Sequence, residues 1–344
     1  MAHWKQAITR RNQGQMETEP ATSSHAYDAW RSLGTFIGEH LMLIVPCGVM
    51  IGILFPHVLL PIKPLVPTFF AIMTLQNSLS NDLGAMRRAL RHPTILMVTL
   101  GIVHVAMPLL TFAIASLLFG AGSPTVAGVV LEYSVPIGAS TIMWIGMFSG
   151  DIALGLSILL VSSLISPVTI PWTLELLVGT TVQIDALGLM GSMAYMVAIP
   201  ALLATILNEA THGWAKRVAF PATTPVSRLL LPVIVATNAT GISEPIRHLT
   251  PRLTAIMLVM LGFAVGAFLL GMFLSRRMCA DDDGRFVSVS FSCGIRNVTA
   301  GAVLASQFFG PEVMFPAIIA TPFQQVLAAV FGRIMSRTLN RHAT

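Results

Sequence analysis

Charge is what this chain has least of. Asp, Glu, Lys and Arg together make up 10% of its 344 residues, against about 25% in ordinary soluble domains. A soluble fold of this length could not cover its surface with so few. Cysteine is equally scarce: Cys47, Cys279 and Cys293 are widely spaced, with no CxxC and no Cys/His metal spacing. That supports neither a disulfide framework nor a zinc or other metal site. The chain also lacks H-E-x-x-H, G-x-S-x-G, paired carboxylates at helical spacing and a phosphate-binding loop. Nothing therefore points to a membrane enzyme or to ATP-driven pumping. The short alternating segments of a β-barrel, about 10 residues each, are missing too. Residues 1–32 are rich in Thr, Ser, Gln and His and have no apolar h-region. They read as a disordered cytoplasmic tail, not a signal peptide.

What is present is apolar length. Hydrophobic residues make up 54% and mean hydropathy is +0.77. Apolar segments recur from Leu33 onward, each near the ~20 residues that a bilayer-spanning helix needs. The expectation is an all-α polytopic membrane protein of ten spans, at 34–56, 58–80, 93–118, 124–148, 152–178, 184–207, 221–242, 251–275, 286–309 and 312–335. The net charge of +5 sits in short loops beside these spans, which suits a lipid surface and not nucleic acid. Lys5, Arg10, Arg11, Arg31, Arg87, Arg88, Arg91, Lys216, Arg217, Arg276, Arg277, Arg285, Arg337 and Arg341 all fall on one side of a ten-span chain; Lys63, Arg247 and Arg252 fall on the other. The positive-inside rule then puts both termini in the cytoplasm of a multi-pass cell (inner) membrane protein.

Ten spans divide into two halves, 33–180 and 181–336, followed by a cytoplasmic tail at 337–344. Five spans per half force opposite insertion, the inverted-repeat plan of many secondary transporters. Spans four and nine then correspond, and both are interrupted: "VVLEYSVPIGASTIMWIGMFSG" by Pro136 and Gly138, and "SFSCGIRNVTAGAVLASQFFG" around Gly294. Proline removes a backbone donor and clashes with the preceding turn. Paired interruptions in corresponding spans mark a transporter's binding site, although Pro and Gly kinks are common in membrane helices generally.

The stretch 135–172, "VPIGASTIMWIGMFSGDIALGLSILLVSSLISPVTIPW", together with 291–306, "FSCGIRNVTAGAVLAS", resembles the bile acid:sodium symporter family. "PVSRLLLPVIVATNA" at 225–239 resembles that family's seventh span. The resemblance implies a panel domain and a core domain, with broken helices four and nine crossing in the core. It also implies alternating-access transport of an organic anion such as a carboxylate, sulphonate or bile salt.

The departures concern sodium. The family's span-nine motif, Glu-x-Gly-Met-Gln-Asn, places Ser292 where a sodium-binding glutamate stands and Arg296 where a glutamine ligand stands. An ungapped comparison of span four puts Thr141 and Ile142 at the Ser-Asn pair, while a one-residue shift puts Ser140 and Thr141 there. The span-five ligand positions fall on Gly155 and Leu159. Hard cations want oxygen ligands, preferably anionic ones, and like charges at ~4 Å repel by about 4 kcal/mol at an effective dielectric of 20. The expectation is a transporter with no cofactor and no sodium at the family's usual sites.

Arg296 has two readings. It is a tethered positive charge replacing sodium, attracting the anionic substrate, or it is the structural partner of Glu132, one turn before Pro136. If substrate displaces Glu132 from Arg296, that carboxylate becomes a proton carrier. His104 in span three is a second proton candidate, or a hydrogen-bonded structural histidine. Asn297, Ser140, Thr141, Gly138 and Thr299 are the further substrate-contact candidates, since broken helices expose backbone and small side chains. Gln324 and Gln325 are read as inter-helix bonders, Gln76 and Asn77 as interfacial, and Asp151 as an N-cap. The alternatives kept beside this reading are a sodium-coupled symporter with altered sites and a membrane sensor or scaffold that does not transport. The oligomeric state, the direction of transport and the substrate's identity stay open.

Overall fold

The computed structural model describes residues 25–81, 84, 87, 93–180, 182–247 and 250–340, and everything described is helix or short connection. Lys5, Arg10, Arg11, Arg88, Arg91 and Arg341, and the tail through residue 24, lie outside the described residues. We number the helices α1 (His25–Leu54), α2 (Pro56–Ser78), α3 (Pro93–Phe119), α4 (Pro124–Ser134), α5 (Ser140–Met147), α6 (Ile152–Val178), α7 (Ala186–Ala210), α8 (Ala215–Arg247), α9 (Pro251–Met278), α10 (Asp283–Gly294), α11 (Val298–Phe308) and α12 (Pro311–Asn340).

Among these, α2, α3, α6, α7, α8, α9 and α12 are long and apolar enough to cross a membrane, and α1 is an eighth if its two parts count as one span. Those parts, Tyr27–Leu41 and Leu43–Leu54, meet at 80°. Pro46 lies four residues after Met42, the residue between the two parts. It cannot donate to the Met42 carbonyl and its ring crowds that carbonyl, so the helix breaks there. The chain is a polytopic helical membrane protein. α1 begins at His25, with Asp28 in its first turn favouring the N-terminal dipole, and α12 continues to Asn340, so helix reaches into 25–32 and 337–340, where the sequence suggests tails.

Six of the twelve helix starts were written in the sequence. Ser123, Asp151, Asp185, Thr250, Asp282 and Asn297 each accept a hydrogen bond from a backbone N–H of the turn that follows, satisfying donors that have no intrahelical partner. Asp151 is thus the N-cap its position suggested, taking the Leu154 N–H at 3.0 Å.

Two groups of helices pack on each other. In one, α1 and α2 lie against α8, and α2 lies against α7. Gly34, Gly38, Gly48 and Gly52 make the first of these contacts possible. A Cβ on any of them would meet Pro225, Arg228, Pro232 or Ala236 of α8, so α1 approaches backbone to backbone. In the other group, α4 packs against α3 and α12, and α9 against α10 and α12. The apolar interior of this second group holds Phe268, Phe286, Phe291 and Phe315, all fully buried.

Candidate functional site

The short helices α4 and α5 are separated by 135–139, and α10 and α11 by 295–297. Here Val135 and Ile295 are extended, at φ −64°, ψ 154° and φ −108°, ψ 118° respectively. Extended backbone inside a membrane must find partners, and the two breaks find each other. Ile137 and Arg296 form an antiparallel bridge. Around it the Asn297 N–H donates to the Pro136 carbonyl at 2.8 Å and the Gly138 N–H donates to the Ile295 carbonyl at 3.4 Å. Gly138 is needed for this approach, because a Cβ there would stand 2.7 Å from the Arg296 carbonyl oxygen.

Arg296 sits in the bridge with 2% of its surface exposed. Its Nη1 donates to the Val103 carbonyl at 3.2 Å, and its guanidinium carbon lies 5.9 Å from the centroid of the Tyr133 ring, within cation–π range. Nε and Nη2 have no hydrogen-bond partner. Arg296 forms no ion pair among the described residues. Glu132, 1% exposed, therefore does not close on Arg296 as a salt bridge; its Oε2 is itself unpartnered and points at Gly301, where a Cβ would collide with it. A buried charged group without its full set of partners is costly, and here a cation and a carboxyl group share one site in that condition.

The Val103 carbonyl is free for Arg296 because α3 carries a π-turn, Ile102–Ala106. The Met107 N–H bonds back to the Ile102 carbonyl, and the next residue, Pro108, has no N–H to offer. Such turns cluster at functional sites. The same turn presents His104, 5% exposed, whose Nε2 is 2.8 Å from Ser162 Oγ and whose Nδ1 is 3.2 Å from Thr169 Oγ1. Ser162 Oγ in turn accepts the Ile137 N–H at 3.2 Å. Consecutive residues of one π-turn thus hold the two breaks, Val103 through Arg296 and His104 through Ser162.

The remaining candidates divide. Thr141 Oγ1 and Ser292 Oγ are buried with no partner. Ile142 and Leu159 offer no side-chain oxygen, and the space beside Gly155 is filled by Ile145 and Ile142. Asn297 Oδ1 is engaged as the N-cap of α11, accepting the Ala300 N–H at 3.1 Å. Ser140 Oγ is 3.4 Å from Gln325 Nε2, and Gln325 Oε1 accepts from Trp144 at 3.0 Å, the inter-helix role expected of it. Thr299 is half-buried on α11. Among the described residues, no three His, Cys, Asp or Glu side chains gather as a metal cluster. Gln76, read as interfacial, lies near the end of α2. It is buried and donates to the Phe220 carbonyl and Thr224 Oγ1, because α2 ends against the start of α8. Tyr133, Ser162, Thr169 and the Val103 carbonyl were not singled out from sequence. Only the "HVAMP" spacing of His104 and Pro108 hinted at that turn.

Two pairs of short helices thus meet at their breaks around a buried cation, inside a helical membrane protein. Comparison with known proteins gives the family. The model of the sodium bile acid symporter family matches residues 67–248, so the chain belongs to that family and is a transporter, not an enzyme. The match includes the first break and ends before the second, where Arg296 lies. Among the chain's relatives, an uncharacterized protein YbaS of Bacillus subtilis (strain 168) is 34% identical over 300 residues, covering 86% of this chain and 96% of its own. A probable chloroplastic sodium/metabolite cotransporter, BASS1, of Oryza sativa subsp. japonica is 28% identical over 333 residues, 92% of this chain and 78% of its own. An uncharacterized sodium-dependent transporter, YocS, of Bacillus subtilis (strain 168) is 23% identical over 316 residues, 91% and 96%.

Proposed function

We propose that this protein is a secondary transporter of a small organic anion, a carboxylate, sulphonate or bile-salt-like molecule, with Arg296 supplying the positive charge that sodium supplies elsewhere in the family. In this reading α4 with α5, and α10 with α11, are the fourth and ninth of ten spans. Two inverted five-helix repeats lie in a cell membrane with both termini cytoplasmic, and transport proceeds by alternating access without sodium at the family's usual sites.

The observation that carries it is the state of Arg296: buried at the crossing of the two breaks, with Nε and Nη2 unpartnered. A guanidinium fork binds a carboxylate or sulphonate through two parallel N–H groups. The donor pair is what a planar anion needs, and the neighbouring Glu132 is the internal group that substrate would face. Gly138, Ser140, Thr141, Asn297 and Thr299 surround the crossing on the same two segments, and His104 steadies it through Ser162. The test is a thermal-shift screen of carboxylates, sulphonates and bile salts in sodium chloride and in choline chloride. We expect one anion to stabilise the protein equally in both salts and to lose its effect in Arg296→Gln. Stabilisation that requires sodium would overturn the assignment.

One observation favours a second reading, sodium coupling at altered sites. Thr141 Oγ1 and Ser292 Oγ are buried oxygens without partners, and the names of several relatives mention sodium. Two hydroxyls without a carboxylate are a poor set for a hard cation, so this reading stands second.

A further inference from the structure

Arg296 is sealed from solvent, so a solute needs an earlier point of capture. A cavity of about 580 Å³ opens between α2, α7 and the far end of α11. We propose that this cavity is an anion-recognition vestibule whose cation is Lys63. The proposal rests on the anion-transport reading and adds a second, separate station to it.

The cavity is a wide, open recess and not an enclosed pocket. Leu60 and Phe308 supply apolar wall, Ser192 and Ser306 hydroxyls, Gln307 an amide and Lys63 an ammonium group; no carboxylate lines it. The balance of one positive charge, two neutral donors (Ser192 and Gln307) and apolar walls suits a compact anion with an apolar body. Lys63 is held on a short 3-10 turn, Leu60–Leu65, with Pro61 and Pro64 on either side. Each proline fixes its own φ, so the turn is a stiff mount for the side chain. Lys63 has no ion pair among the described residues.

Behind the wall lies a second feature. Ser306 Oγ is 3.2 Å from Asn238 Oδ1, and Asn238, 1% exposed, has an unpartnered Nδ2. Buried polar atoms in native proteins nearly always have partners; here the unsatisfied donor belongs to the amide that holds a cavity-lining hydroxyl. Asn297 and Gln307 bound α11 near the crossing and near the cavity, about 15 Å apart at the helical rise. One helix therefore joins the two stations.

A different role for Lys63 is to balance the carbonyl end of α11, which attracts cations. The test separates the two. In full-length protein carrying Cys47→Ser and reconstituted in lipid, Gln307→Cys is treated with the anionic 2-sulfonatoethyl and the cationic 2-trimethylammonioethyl methanethiosulfonates. We expect the anionic reagent to be favoured over its rate ratio with a free thiol in solution. We expect that preference to fall about five-fold in Lys63→Gln, as for one unit charge at close range in a wet site, and to persist in Lys63→Arg. Ser192→Cys reads the same field from the opposite wall should Gln307→Cys fail to fold. A ratio indifferent to Lys63→Gln, or a thiol that neither reagent reaches, would overturn the vestibule. The two proposals fail separately: anion transport that survives Arg296→Gln removes Arg296 as the built-in cation and leaves the reagent ratio intact, and Arg296→Gln should not alter that ratio.

Discussion

At the scale of single residues, the site is a set of groups that lack partners. Arg296 Nε and Nη2, Glu132 Oε2, Thr141 Oγ1 and Ser292 Oγ are all buried and unbonded, on the four short helices or the breaks between them. Native interiors avoid such atoms unless something visits them. Gly301 leaves room for the carboxyl group of Glu132, since a Cβ there would overlap Oε2 unless that side chain shifted. Gly301→Ala should therefore lower the midpoint of thermal unfolding, with an overpacking cost of about 1–3 kcal/mol. An unchanged midpoint would mean that Glu132 has other room to occupy. Arg296 was legible in sequence because a charge in so apolar a segment needs a reason. The absence of a Glu132–Arg296 salt bridge was not, since one helical turn of spacing says nothing about how two crossed segments rotate.

At the scale of elements, the breaks were legible and what holds them was not. Pro136 and Gly138 announce the first break, and Gly294 comes just before the second. The π-turn in α3 depends on contacts made elsewhere in the chain, and a local sequence pattern for it exists only in the proline that ends it. The account gives Pro108 a definite job: it withholds the N–H that would otherwise compete for the Val103 carbonyl. Pro108→Ala should restore a backbone donor to α3 and loosen the hold on Arg296. We expect transport to fall while thermal stability holds or rises, the usual opposition between stability and a strained site. Transport at the parental rate with a regular α3 would show that the π-turn is incidental. Gln76 carries the same lesson in reverse. Its position at the end of an apolar run suggested a headgroup contact, and only the packing of α2 on α8 turns it inward.

At the scale of the molecule, composition alone determined the class. A chain with 10% charged residues has no stable solution in water, and helices are the one spanning structure that its long apolar runs allow. Span counting succeeded for the long helices and differed where helices are short or bent. Among the described residues seven pass by length and apolarity, and α1 is an eighth when its two parts are joined. The helices on either side of the two breaks are each too short to register alone, which is why a count from hydropathy and a count from structure diverge there. Family membership says that the molecule transports. The positions that the resemblance sets against the family's sodium ligands, Ser292, Thr141 and Ile142 (or Ser140 and Thr141), Gly155 and Leu159, include no carboxylate.

The central claim is that a built-in cation, Arg296, does for substrate what bound sodium would do. It is tested most directly by counterflow in proteoliposomes, loading the anion that best stabilises the protein and following exchange of its labelled form. The account predicts equal exchange in sodium and in choline, and none in Arg296→Gln. Exchange that needs sodium, or that survives loss of the arginine, would contradict it.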